Sequence, residues 1–234
     1  MSPFRKSAPV KAGHLAAAVL AIALSGCISV LPKSKPSQLY RFGMGEADAT
    51  SPPGGQGPIS GVVLQNVSFP RAAGGDQILT MTGGQAAYIG ESRWISPAQV
   101  LFQEAVQHSF ETHAHRTRLL SRGEIGAASA FLRLEVRSFE ARYDQGSAAA
   151  PLVAVAVLAR MSALDGQVVG EQLFHAETRA ADNRVGPITR AFDAGVEKVL
   201  GDITNWADMT APAAKRAAPA ATTTSSTTQT TSRP

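Results

Sequence analysis

The sequence predicts an α/β (α+β) domain: a mixed, largely antiparallel sheet with two main helices packed on it. Three observations lead there. Leu132, Leu134 and Val136 alternate with Arg133, Glu135 and Arg137, the pattern of a strand with one buried and one wet face. Two further strand-like runs flank Asp165-Gly166, a strong turn pair. Two other stretches carry apolar residues at helical spacing, Ala98 to Phe110 and Ile188 to Trp206.

The elements follow in order. Leu15 to Leu24 is an unbroken apolar run of ten, preceded by Arg5, Lys6 and Lys11 and by no acid. A basic stretch, a short apolar stretch and small residues before a cut define a secretory signal peptide. Ten residues make a helix of about 15 Å, too short for a hydrocarbon core of roughly 30 Å. An uncleaved anchor or a buried helix is the alternative. The chain's single cysteine, Cys27, ends Leu24-Ser25-Gly26-Cys27. That tetrapeptide resembles the lipobox of bacterial lipoproteins, whose cysteine is lipidated and becomes the first residue. The expected organisation is a signal peptide over 1–26, a lipidated tether over 27–37, a domain over 38–208 and a disordered tail over 209–234. Two or three acyl chains, at about 0.8 kcal/mol per buried CH₂, make the attachment effectively permanent. Residue 28 is Ile, not Asp. By resemblance to sorted lipoproteins, this places the protein at the periplasmic face of the outer membrane.

Gln38 to Phe42 alternates as a short strand, and 43–58 is a Gly- and Pro-rich loop. Ile59 to Phe69 is a strand that Pro70 ends, and Gln77 to Thr82 pairs with Gln85 to Ile89 across Gly83-Gly84 as a hairpin. Ser96-Pro97 opens the first helix, with Ser96 as cap, Pro97 at the first helical position and Gln99 able to complete a capping box. Thr117 to Leu120 is a short strand. Ala130 to Tyr143, Pro151 to Met161 and Val168 to Thr178 are long ones. Ala154 and Ala156 on the second face of the middle strand suggest that helices or a partner lie close there. Gly186-Pro187 starts the last helix. Leu101 and Phe192 are expected to be buried on facing helix stripes. Residues from Thr210 onward are mainly Ala, Pro, Thr and Ser without periodicity, too little apolar area to offset the entropy of ordering.

Charge narrows the function. The 22 basic residues less the three ahead of the apolar run leave 19 against 18 acids, so the mature chain has no nucleic-acid footprint. One cysteine excludes an intramolecular disulfide and a thiolate zinc site. There is no Gly-x-x-x-x-Gly-Lys-Ser/Thr loop and no Gly-x-Ser-x-Gly elbow, so neither an ATPase nor an α/β-hydrolase is indicated. His108, Glu111 and His115 share a helical stripe. The two histidines are seven residues apart, about 10 Å along the axis, too far for one ion without another ligand. They are read as a solvated face, and His175 as a sheet residue beside Phe174. No cofactor, metal site or catalytic residue is expected. Trp94 and Trp206 are core aromatics or interface anchors.

One resemblance joins several segments. Tyr40-Arg41-Phe42 follows the tether. Then come Val63-Leu64-Gln65-Asn66-Val67-Ser68-Phe69-Pro70, Asp76-Gln77-Ile78 and Glu91-Ser92-Arg93-Trp94-Ile95-Ser96-Pro97. In this order they resemble the ABC-type transport auxiliary lipoproteins, the family that includes the lipoprotein of the paraquat-inducible transport system. Here Asp76-Gln77 is shorter than the family's Asp-x-Pro-Gln-Ile, and Ile95-Ser96 replaces Ala-Glu. The resemblance covers about 38–206 and implies an α/β sandwich without catalytic residues. It also implies partners: a periplasmic MCE-domain protein with its ABC permease and ATPase, moving phospholipid or related lipids between membranes. A structural lipoprotein that scaffolds an outer-membrane complex without lipid traffic is the alternative. A periplasmic hydrolase using His108, His115 or His175 is a third reading, without a nucleophile motif. A homo-oligomer is left open.

For a docking surface the sequence offers Arg71 and Asp76 in one loop, and Arg93 and Trp94 ahead of the first helix. An aromatic flanked by arginines is the composition of an interface anchor. Trp94 closing the core, with solvated charges around it, is the competing reading.

Overall fold

The structure is a computed structural model that describes residues 36–44 and 59–212. The expected signal peptide, Cys27, most of the tether, most of the loop over 43–58 and the tail from 213 lie outside the described residues. The elements are β1 (Gln38–Tyr40), β2 (Ser60–Ser68), β3 (Gln77–Thr82), β4 (Gln85–Trp94), α1 (Ala98–His113), β5 (Thr117–Leu119), β6 (Ala128–Arg142), β7 (Leu152–Ala163), β8 (Val168–Arg179) and α2 (Val185–Thr210). A 3₁₀ turn over Arg122–Ala127 stands before β6.

All eight strands join one mixed sheet, and β6 is its axis. β7 runs antiparallel along the whole of β6, and β8 antiparallel along β7; these are the two longest ladders. The other edge of β6 is shared. β2 lies parallel to its first half, from Gly61 opposite Ala128 to Ser68 opposite Glu135. β3 lies parallel to its end, with Met81 opposite Arg142. β2 and β3 are in effect one strand broken by residues 69–76. Pro70 has no N–H to give a ladder, and its carbonyl instead accepts the N–H groups of Ala73 and Gly74, both at 3.0 Å. β5 adds parallel to β2, β4 antiparallel to β3 and β1 parallel to β4.

Both helices cover one face. Leu132, Leu134 and Val136 point into it, and a register shift between Val136 and Ser138 turns Phe139 inward as well. Leu101 and Phe192 are both buried there, as their stripes predict. Phe139 is the hub of an aromatic cluster, with ring centroids 4.8 Å from Phe192, 5.1 Å from Phe42 and 5.5 Å from Phe69. Between the helices the hydroxyls of Ser109 and Thr204 pair at 3.0 Å, so neither is an unsatisfied buried polar group.

Four expectations change in detail. No side chain caps α1: the residue before it is Pro97, not Ser96. The N–H groups of Ala98 and Gln99 are satisfied by the carbonyls of Gly75 and Gly74 at 2.8 and 3.3 Å, and the Gln99 side chain donates to the carbonyl of Val67. Among the described residues no helix lies over Ala154 and Ala156, on the second face of β7. Ala154 stands opposite Glu140 and Glu177 in register, and Arg142 hydrogen-bonds both carboxylates, at 2.8 and 3.4 Å. A methyl group there leaves room for a charged bridge across the strand. α2 continues to Thr210, past the expected domain end at 208. The 3₁₀ turn was not foreseen, although Ser121 and Glu124 form its capping box.

Candidate docking surface and anchor strand

The chain just past β1 is fixed in the core. β1 is only three residues long, and Pro36 ahead of it cannot extend its ladder. Two residues beyond β1, Phe42 is 1% exposed and meets Trp94 edge-on with ring centroids 4.9 Å apart. Gly43 follows with φ +77°, and its N–H donates to the Asp193 carboxylate at 2.6 Å. A Cβ on Gly43 would stand 2.3 Å from the Cβ of Ala105, so the chain passes α1 at a point where only glycine fits.

Beside this strand lie the residues proposed for docking. Arg71 is exposed at the break between β2 and β3. Asp76 and Arg93 pair with each other at 2.9 Å, both about half exposed. Trp94 does not face a partner. It is 2% exposed and packs edge-on against Phe42 and Phe192, because Arg93 and Trp94 point to opposite faces of β4. This corrects the reading of Trp94 as an interface anchor. The exposed apolar residues beside Arg93 are Leu39, its register partner on β1, and Ile95. The sequence hid this because Leu39 sits in a short alternating strand whose neighbours read equally well as buried. The Tyr88 hydroxyl donates to the carbonyl of Ala72 and ties the hairpin to the Arg71 loop.

The histidine stripe does not assemble. His108 is half buried on α1, and His115 lies past the end of α1, its N–H donating to Asp208. His175 is exposed on β8. Among the described residues no group of three or more His, Cys, Asp or Glu is placed to hold a metal ion. No helix among them is long and apolar enough to cross a membrane.

The described residues form a single-sheet α/β domain with both helices on one face and charged loops beside β1. The family model of the ABC-type transport auxiliary lipoprotein component matches residues 40–204, and the chain belongs to this family. Two solved structures share the fold. A Xanthomonas campestris protein of the DUF330 family is 18% identical, with 76% of this chain and 94% of that one covered and a TM-score of 0.58. A crystal structure titled only as an uncharacterized protein is 14% identical, with 74% and 99% covered and the same TM-score of 0.58. Among curated proteins none matches the chain.

Proposed function

We propose that this protein is the outer-membrane end of an MCE/ABC-type lipid transport system. Anchored through Cys27 on the periplasmic face, it docks the periplasmic MCE-domain component and assists lipid transfer without catalysing a reaction itself. The observation that carries this reading is the fixed entry of the tether, through β1, Phe42 and Gly43, in a chain whose family serves ABC-type transport. A loosely attached domain would let its partner drift from the membrane. A domain whose chain is pinned in the core at Phe42 and Gly43, just past its first strand, holds whatever it binds at a bounded distance from its anchor.

The loop face contributes Arg71 and the Asp76–Arg93 pair, with Leu39 and Ile95 as apolar contacts. Exposed ion pairs of this kind add little stability, about 0–1 kcal/mol, so their charges can be redirected to a partner at small cost.

The test is co-purification of the full-length lipidated protein, in detergent, with an MCE-domain protein of the same organism. Arg71→Glu combined with Arg93→Glu is expected to weaken capture while the melting midpoint stays unchanged. Capture by the wild type but equally by the variant would remove this face from the interaction. No capture by the wild type would favour a scaffold lipoprotein without lipid traffic.

A further inference from the structure

The sheet ends on one side in a long strand. β8 runs for 12 residues and, among the described residues, pairs with β7 alone, whereas β1 and β5 on the other side have 3 residues each. An open edge of this length is a template for another strand, and proteins commonly blunt it with lysine, proline or a bulge. β8 contains neither Lys nor Pro, and its register shift lies at its start, before Gly170. From Gly170 to Arg179 its register is unbroken.

The ladder shows which groups face outward. Ala180 donates its N–H to the Pro151 carbonyl at 3.0 Å, and these two continue the register of Arg179 with Leu152. They are therefore a hydrogen-bonded pair. Bonded and non-bonded pairs alternate in an antiparallel ladder, so the bonded positions of β8 are Thr178, Ala176, Phe174 and Gln172. The N–H and C=O groups of Glu171, Leu173, His175 and Glu177 point the other way, to the free edge. Their side chains lie on the wet face, while Phe174 and Ala176 are buried.

The charges that would guard this edge are taken up inside the sheet. Glu171 is held by Arg160 through one oxygen, Glu177 by Arg142, and Arg179 by Asp144. Between them Leu173 is 54% exposed. His175 is exposed too, and among the described residues its ring has no hydrogen-bond or ion-pair partner.

We infer that β8 pairs antiparallel with β8 of a second copy of this chain, about a twofold axis at Leu173, so that one sheet continues through both copies. The side chains select the register. With the axis at Leu173, the two Leu173 side chains cover each other, and each Glu171 stands opposite the other copy's His175. One apolar pair and two acid–imidazole pairs result, the self-complementarity that a twofold interface requires. An axis at Phe174 would set Glu171 opposite Glu177, acid against acid. An axis at His175 would set Leu173 opposite Glu177. The helices fit the arrangement as well. α2 lies over both β7 and β8: a Cβ on Gly195 would stand 3.3 Å from Val155 and 3.8 Å from Thr178. The α2 helices of the two copies would then stand about two strand spacings apart, roughly 10 Å, a distance at which helices pack. This assembly goes beyond the functional reading above and does not depend on it.

The test uses the full-length lipidated protein in density-matched detergent. Sedimentation velocity is expected to show a dimer that dissociates on dilution. Leu173→Lys sets two lysines directly opposite each other and is expected to weaken the dimer at least about tenfold, at unchanged melting temperature. Leu173→Cys is expected to be linked between copies by a short bismaleimide, because acylation leaves no free thiol at Cys27. Leu39→Cys, on β1, is the control and is expected to stay unlinked. A wild type that remains monomeric at every concentration overturns the inference, and so does a dimer that Leu173→Lys leaves equally tight. Equal linking at Leu39→Cys would mean random encounter in the micelle and overturns it too. A monomeric wild type that dimerises only after removal of residues 213–234 would assign the edge to the tail. A monomeric wild type whose capture of the MCE-domain protein is lost with Leu173→Lys would assign it to that partner. Either of these outcomes also overturns the inference.

Discussion

One oxygen of the Asp208 carboxylate accepts both the N–H and the hydroxyl of Thr117, at 2.8 and 2.7 Å. The same oxygen takes the N–H of Arg116 at 3.0 Å, and the other takes that of His115 at 2.7 Å. Asp208 lies in the last turn of α2, and Thr117 is the first residue of β5. One side chain thus satisfies three consecutive N–H groups after α1 and pins the far end of α2 to the sheet.

Asp208→Ala is therefore expected to cost about 2–3 kcal/mol, since Thr117 is buried and its donors lose their acceptor. For a domain of this size that is a fall in melting temperature of roughly 4–12 °C. A variant melting within a degree of the wild type would show that water replaces the carboxylate without loss.

Gly43 and Ala105 form a second test. Gly43→Ala meets both a left-handed φ and the Ala105 methyl, and is expected to destabilise by about 2–5 kcal/mol. Ala105→Gly in the same chain is expected to recover the steric part and leave the backbone part. Additive losses in the double variant would mean that the two residues do not collide.

The acid limb of stability is expected to depend on Asp144. Arg179 binds it through two nitrogens, at 2.5 and 2.7 Å, and these hydrogen bonds, with the charge behind them, hold the carboxyl below its ordinary value. A carboxyl depressed in the folded state stabilises above its unfolded-state value, and that contribution fades as pH falls through the folded-state value. The melting difference between wild type and Asp144→Asn is expected at neutral pH and should shrink once pH drops below about 4. A difference constant from pH 7 to pH 2 would contradict this.

Cys27→Ser is expected to block acyl labelling and to leave the protein uncleaved or displaced from the outer-membrane fraction. Normal labelling and normal fractionation of this variant would remove Cys27 as the anchor.

The sequence was legible where structure is local. The alternation along β6, the stripes of α1 and α2 and the Asp165-Gly166 turn each depend on residues within one element, and these are where the structure places them. What the sequence hid depends on pairing across distance. Nothing near Pro70 shows that β2 and β3 share one edge of β6. Nothing near Asp208 shows that its acceptors face residues 91 to 93 positions earlier. Arg93-Trp94 carries the same residues whether the indole faces a partner or Phe42, and only the aromatic cluster decides.

The most direct measurement of the central claim is lipid transfer. Vesicles holding the ABC permease and ATPase with the MCE-domain protein are mixed with vesicles bearing the lipidated protein, and exchange of a fluorescent phospholipid is followed with and without ATP. Exchange that depends on the lipidated protein, and that falls with Arg71→Glu combined with Arg93→Glu, is the predicted result. Exchange at the same rate whether the lipidated protein is present or absent would contradict the account.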